Sequence, residues 1–110
     1  MRDNINGGAL TETTFFILLS VYKPSHGYGI MQFISSETGG RLVLGAGTLY
    51  GAIHTLLKKG WIIPCGDETN DRKKEYIISD AGRQVAESEL KRLNQVYQTG
   101  IRITRGGNTT

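Results

Sequence analysis

Residues 45–60 read GAGTLYGAIHTLLKKG, and two kinds of chemistry could use such a stretch. One is phosphate cradling. Gly45, Gly47 and Gly51 form a GxGxxxG string with Asp67 about twenty residues past Gly47, the outline of a dinucleotide site. The other is approach to a duplex groove. On a helix from Ala46 to Lys59, Leu49, Ala52, Ile53, Leu56 and Leu57 make a core stripe. The opposite face then carries Gly47, Thr48, Tyr50, Gly51, His54, Thr55, Lys58 and Lys59, with no acid among them. Short donors on an acid-free face suit a major groove, where phosphates flank base-edge acceptors. Gly51 points the same way. Glycine inside a helix costs roughly 1 kcal/mol relative to alanine, so something must come close to the backbone there. That something is either a duplex or a neighbouring segment of the protein itself.

The remaining reactive side chains are few. His26 and His54 have no Cys, His or carboxylate at metal-ligand spacing, so no metal site is expected. His54 reads as a groove-facing donor and His26 as a turn residue or satisfied polar group. Cys65 reads as a small buried strand residue. No nucleophile–base set is suggested and no cofactor is expected, so the chain reads as a non-enzyme.

Size and composition agree. The chain has 110 residues, enough for one small unit whose core gains from oligomerisation. A formal charge of +3 favours an anionic partner. One cysteine excludes an internal disulfide framework and fits a reducing compartment. No stretch reaches ~18 apolar residues, so no membrane span is expected, and the location read from this is cytoplasmic.

The elements that must hold the face follow from periodicity and breakers. Residues 1–9 read as a flexible arm. A helix is predicted over 10–22, ended before Pro24; its apolar residues cover most of its circumference, so one side can meet a partner. Ser25 is the expected cap of a second helix over 26–37. Residues 41–44 read as a short strand, and the third helix stops at Gly60. A hairpin follows, with arms at 61–65 and 73–78 and a polar turn, GDETNDR, between them. In that turn Arg72, Lys73 and Lys74 can track a phosphate backbone, although Asp67, Glu68 and Asp71 offset their charge. A last helix runs from 80 to about 99, within a dimerisation segment taken as 80–103, before a flexible tail at 104–110. Ala86, Leu90, Leu93 and Tyr97 step by the spacing of a coiled-coil seam. Phe15 and Leu19 of the first helix would assist dimerisation. Glu87, Glu89, Lys91 and Arg92 lie off the seam and suit solvent or partner-helix pairing. Residues 10–79 therefore read as a winged helix-turn-helix domain, mainly α with a small hairpin, with an added C-terminal dimerisation helix.

The stretches LTETTFFILLSVYKPSHGYGIMQ, GAGTLYGAIHTLLKKGWI and RKKEYIISDAGR resemble the PadR-like transcriptional regulators over about residues 10–93. The resemblance implies a homodimer that represses transcription from palindromic operator DNA and is released by small apolar or aromatic effectors. Thr48, Leu49 and Tyr50 match the start of that family's recognition helix. Gly51 stands where many members carry proline. Tyr28 and Gly29 match the HGY-type start of the second helix, where Tyr28 can reach a phosphate. Arg72, Lys73 and Tyr76 match the wing and its return strand. The short C-terminus resembles the family's smaller branch, with Tyr97 as the aromatic candidate where some members line a ligand pore with tryptophan. Thr48, Tyr50 and His54 are thereby expected to read bases. A ligand-binding or protein-interaction module on the same fold, without specific DNA binding, is the alternative; it would be free to gain acids on the third helix.

Overall fold

A computed structural model of the chain describes residues 8–66 and 74–106. Its elements are α1 (Glu12–Ser20), β1 (Ser25–His26), α2 (Gly27–Glu37), α3 (Ala46–Lys59), β2 (Ile62–Cys65), β3 (Glu75–Ile78) and α4 (Asp80–Arg105). Side chains start three of the helices by accepting an otherwise orphaned amide. Thr11 Oγ1 accepts from Thr14 N at 3.1 Å, His26 Nδ1 from Gly29 N at 3.1 Å, and Ser79 Oγ from Gly82 N at 3.0 Å. The cap of α2 is thus His26, not Ser25, and α1 is shorter at both ends than the sequence suggests. Gly60, with φ of 74°, closes α3 in the left-handed region that glycine enters without strain.

The sheet corrects one expectation. Residues 41–44 form no strand; the third strand is β1, and the order is β1-β3-β2, all antiparallel. Strands need a free edge. β3 has β2 on one side, with Ile62 opposite Ile78, and Ser25 opposite Tyr76 on the other. Both edges of β3 are taken, and residues 41–44 pair with neither outer strand. Residues 41–44 instead make an irregular link in which Leu44 is buried, Leu42 N donates to Thr38 Oγ1 and the Arg41 guanidinium grips the Glu12 carboxylate of α1. An antiparallel sheet without a crossover helix removes the dinucleotide reading of the glycine string.

The core gathers Ile17 and Leu18 of α1, Ile30 and Ile34 of α2, Leu49, Ile53 and Leu56 of α3, and Trp61, Ile62, Tyr76 and Ile78 from the hairpin. The predicted stripe on α3 is the one that is buried, with Ala52 and Leu57 flanking it. Phe15 packs against this core, half-buried, and Leu19 is also half-buried.

α4 begins by docking on the turn between α3 and β2. Ser79 N donates to Trp61 O at 3.0 Å, and Ser79 Oγ donates to Gly60 O at 2.6 Å. A Cβ on Gly82 would stand 2.1 Å from Trp61 O, so the helix backbone lies directly on that carbonyl. Two seam-side expectations change here. Ala86 is 3% exposed and faces its own domain, so it is not an outward dimerisation residue. Glu89 is buried, not solvated: Arg92 Nε and Nη2 donate to it at 2.9 and 2.7 Å, and Leu10 N at 3.4 Å. Beyond Glu89 the helix leaves the domain, and it continues to Arg105, past the expected end, so the assigned tail begins helical.

Candidate nucleic-acid interface

α3 lies across α2, held by its buried stripe, and turns its other face outward. Gly47, Thr48, Tyr50, Gly51, His54, Thr55 and Lys58 are all exposed on it. The helix contains no acid. Lys59 is set apart: its ammonium lies 5.1 Å over the Trp61 ring, a cation–π contact, and the residue is half-buried. Gly45 caps the helix in an extended conformation without a side-chain hydrogen bond. The first-turn residues Ala46, Gly47 and Thr48 are exposed, and a helix N-terminus favours anions. Lys58 and Lys59 sit at the opposite end, where they complement the dipole.

The glycines on this face are in open space among the described residues. A Cβ at Gly47 or at Gly51 would meet no atom within 4 Å. Among the described residues, no neighbouring segment accounts for Gly51.

Other site residues are distributed around this helix. Tyr28, in the first turn of α2, is exposed, and its hydroxyl accepts from Gln32 Nε2 at 3.0 Å. Lys74 is exposed at the foot of β3. Arg72 and Lys73 lie outside the described residues, as do the acids of the turn. Burial, with the Glu75 carboxylate, pushes the Cys65 thiol up, the opposite of an activated thiolate. Among the described residues no three His, Cys, Asp or Glu side chains gather as a metal site, and no helix is long and apolar enough to cross a membrane.

One residue departs from its expectation and another had none. Tyr50 was expected to present its hydroxyl to a groove; instead the hydroxyl end of the ring lies against Gly27 at the start of α2. Gly27 itself, buried beneath that ring, has no sequence signal that sets it apart from Gly29 two residues later.

A second surface lies on α4. Leu90, Leu93 and Tyr97 are exposed on the predicted seam, and Val96 and Ile103 widen it. Ile101 is half-buried.

The family model for the PadR-like transcriptional regulators matches residues 17–88. No curated protein matches the chain. Among solved structures, a transcriptional regulator from Clostridium thermocellum is similar at 25% identity and a TM-score of 0.69, over 86% of this chain and 93% of that one. Bacillus subtilis PadR in complex with operator DNA is similar at 23% identity and a TM-score of 0.63, over 73% of this chain and 47% of that one. Bordetella bronchiseptica BpsR, whose DNA binding is regulated by 6-hydroxynicotinic acid, is similar at 16% identity and a TM-score of 0.66, over 92% of this chain and 68% of that one. With the matched region spanning α1 to the docked half of α4 and the winged helix fold in common, the chain belongs to the PadR-like family of transcriptional regulators.

Proposed function

We propose that the chain is a homodimeric, sequence-specific DNA-binding repressor that a small apolar or aromatic effector releases. The observation that carries the reading is the outward face of α3: acid-free, exposed, and carrying two glycines at which an added Cβ would meet no neighbouring element. Thr48 and His54 read base edges, with Tyr50 bordering them. Tyr28, Lys58, Arg72, Lys73 and Lys74 hold phosphates, and the start of α3, which no side chain caps, adds its amides. The exposed residues Leu90, Leu93 and Tyr97 of α4 are covered by a second copy, aided by Phe15 and Leu19 of α1. Two recognition helices about one duplex turn apart, ~34 Å, then demand an operator with two-fold symmetry. The effector part is supported by the apolar character of the α4 surface and by the ligand regulation of BpsR.

Selection of bound duplexes from a random DNA library at two salt concentrations tests the reading. Enrichment of one palindrome that persists at the higher salt is the expected result. Recovery of unenriched DNA, lost steeply with salt, would reduce the α3 face to a phosphate-binding surface.

A further inference from the structure

We propose that Tyr50 is a positioning residue: its ring, seated on Gly27, sets the angle at which α3 leaves α2, and so aims Thr48 and His54. The inference rests on the DNA-binding reading above and assigns a cause to its geometry. A Cβ on Gly27 would lie 2.0 Å from Tyr50 Oη, 2.6 Å from its Cζ and 3.2 Å from its Cε1. No side chain larger than hydrogen fits there while the ring stays in place. Gly27 is buried, whereas Tyr50 is 49% exposed, so the ring covers the glycine with one side and leaves the other open.

The contact sits at a corner of the fold. Gly27 is the residue at which β1 passes into α2, and β1 pairs with β3 through Ser25 and Tyr76. The Tyr76 phenol on β3 is pushed up first by burial and then by the charge of the Tyr50 phenol. The ring therefore touches the residue that joins β1 to the start of α2. A tyrosine that reads a base aims its hydroxyl away from the protein; this one aims it inward. Its effect on DNA must act through where it holds α3.

The test uses four variants of the full chain: Gly27→Ala, Tyr50→Ala, their double, and Tyr50→Phe. Operator and random-sequence DNA binding are measured for each, with melting temperature recorded in parallel. Gly27→Ala evicts the ring and Tyr50→Ala deletes it, so each should lower the operator-to-random affinity ratio by about tenfold, comparable with one mismatched base pair. The double variant should lose no more than either single one, because both remove the same contact. Tyr50→Phe keeps the ring and should restore the base preference that Tyr50→Ala loses. A purely structural role would lower operator and random binding together, in step with melting temperature, and overturns the proposal. Relaxed preference at one base pair in Tyr50→Phe, or additive losses in the double, overturns it too. Wild-type protein that selects no sequence at all defeats the DNA-binding reading first; the wild-type measurement separates that failure from the others.

Discussion

Gly51 offers a test in which two properties move in opposite directions. Its position is open, so alanine fits without a clash. In an exposed helix interior the exchange should stabilise the free protein by roughly 1 kcal/mol, visible as a rise of several degrees in melting temperature. If the glycine is kept for close approach, the same Gly51→Ala protein should bind its operator more weakly. A more stable protein with undiminished affinity would end the groove explanation of this residue. Lys58→Ala should act differently, weakening operator and random DNA alike and lowering the salt slope by about one. The outward face of α3 was legible because one helix places it and periodicity locates that helix. The Gly27–Tyr50 contact was not. It joins residues on two helices whose crossing no local pattern encodes, and the sequence shows Gly27 only as one glycine of the pair in HGYG.

Two contacts fix where α4 starts and where it leaves the domain. At its start the backbone of Gly82 rests on the Trp61 carbonyl, a neighbour that cannot swing aside as a side chain can. Gly82→Ala should destabilise the fold by about 1–3 kcal/mol as an overpacking substitution, measured by denaturant unfolding; an unchanged midpoint would mean α4 docks loosely. At its departure point Glu89 is held below the usual carboxylate range, chiefly by the Arg92 hydrogen bonds. Glu12 on α1 is lowered similarly by Arg41. A carboxylate whose folded pKa is depressed adds stability above its unfolded pKa and loses it as pH falls through the folded value. Glu89→Gln should therefore melt lower than wild type near neutral pH, and the gap should shrink as pH falls below the usual carboxylate range and through the depressed folded value. A gap that stays constant with pH would mean the lost stability is not electrostatic. Element boundaries show the same division between local and distant causes. α3 and the hairpin follow from stripe and turn residues, whereas β1 is two residues long and exists only because β3 has an edge for it. Burial of Glu89 depends on Leu10, seventy-nine residues away, which helical spacing cannot reveal.

The whole molecule presents a helix of 26 residues, ~39 Å at 1.5 Å per residue, whose second half lies outside its own domain. Leu90, Leu93, Val96, Tyr97 and Ile103 are all exposed along it. Burying such a face against a second copy removes that apolar surface from water and couples the two α3 helices at a fixed separation. In the proposed dimer each half-site would raise the effective concentration of the other and multiply affinity about a hundredfold or more without any new base contact. Leu90→Asp combined with Leu93→Asp should break that coupling while leaving the domain intact, since neither side chain belongs to the core. Sedimentation should show wild type as a dimer at micromolar concentration and the double variant as a monomer with a similar circular dichroism spectrum. Affinity for a two-fold symmetric operator should fall by about that factor of a hundred, and affinity for a single half-site should hold. A wild-type monomer, or equal losses on half-site and full operator, would mean that this face does not join two DNA-binding domains.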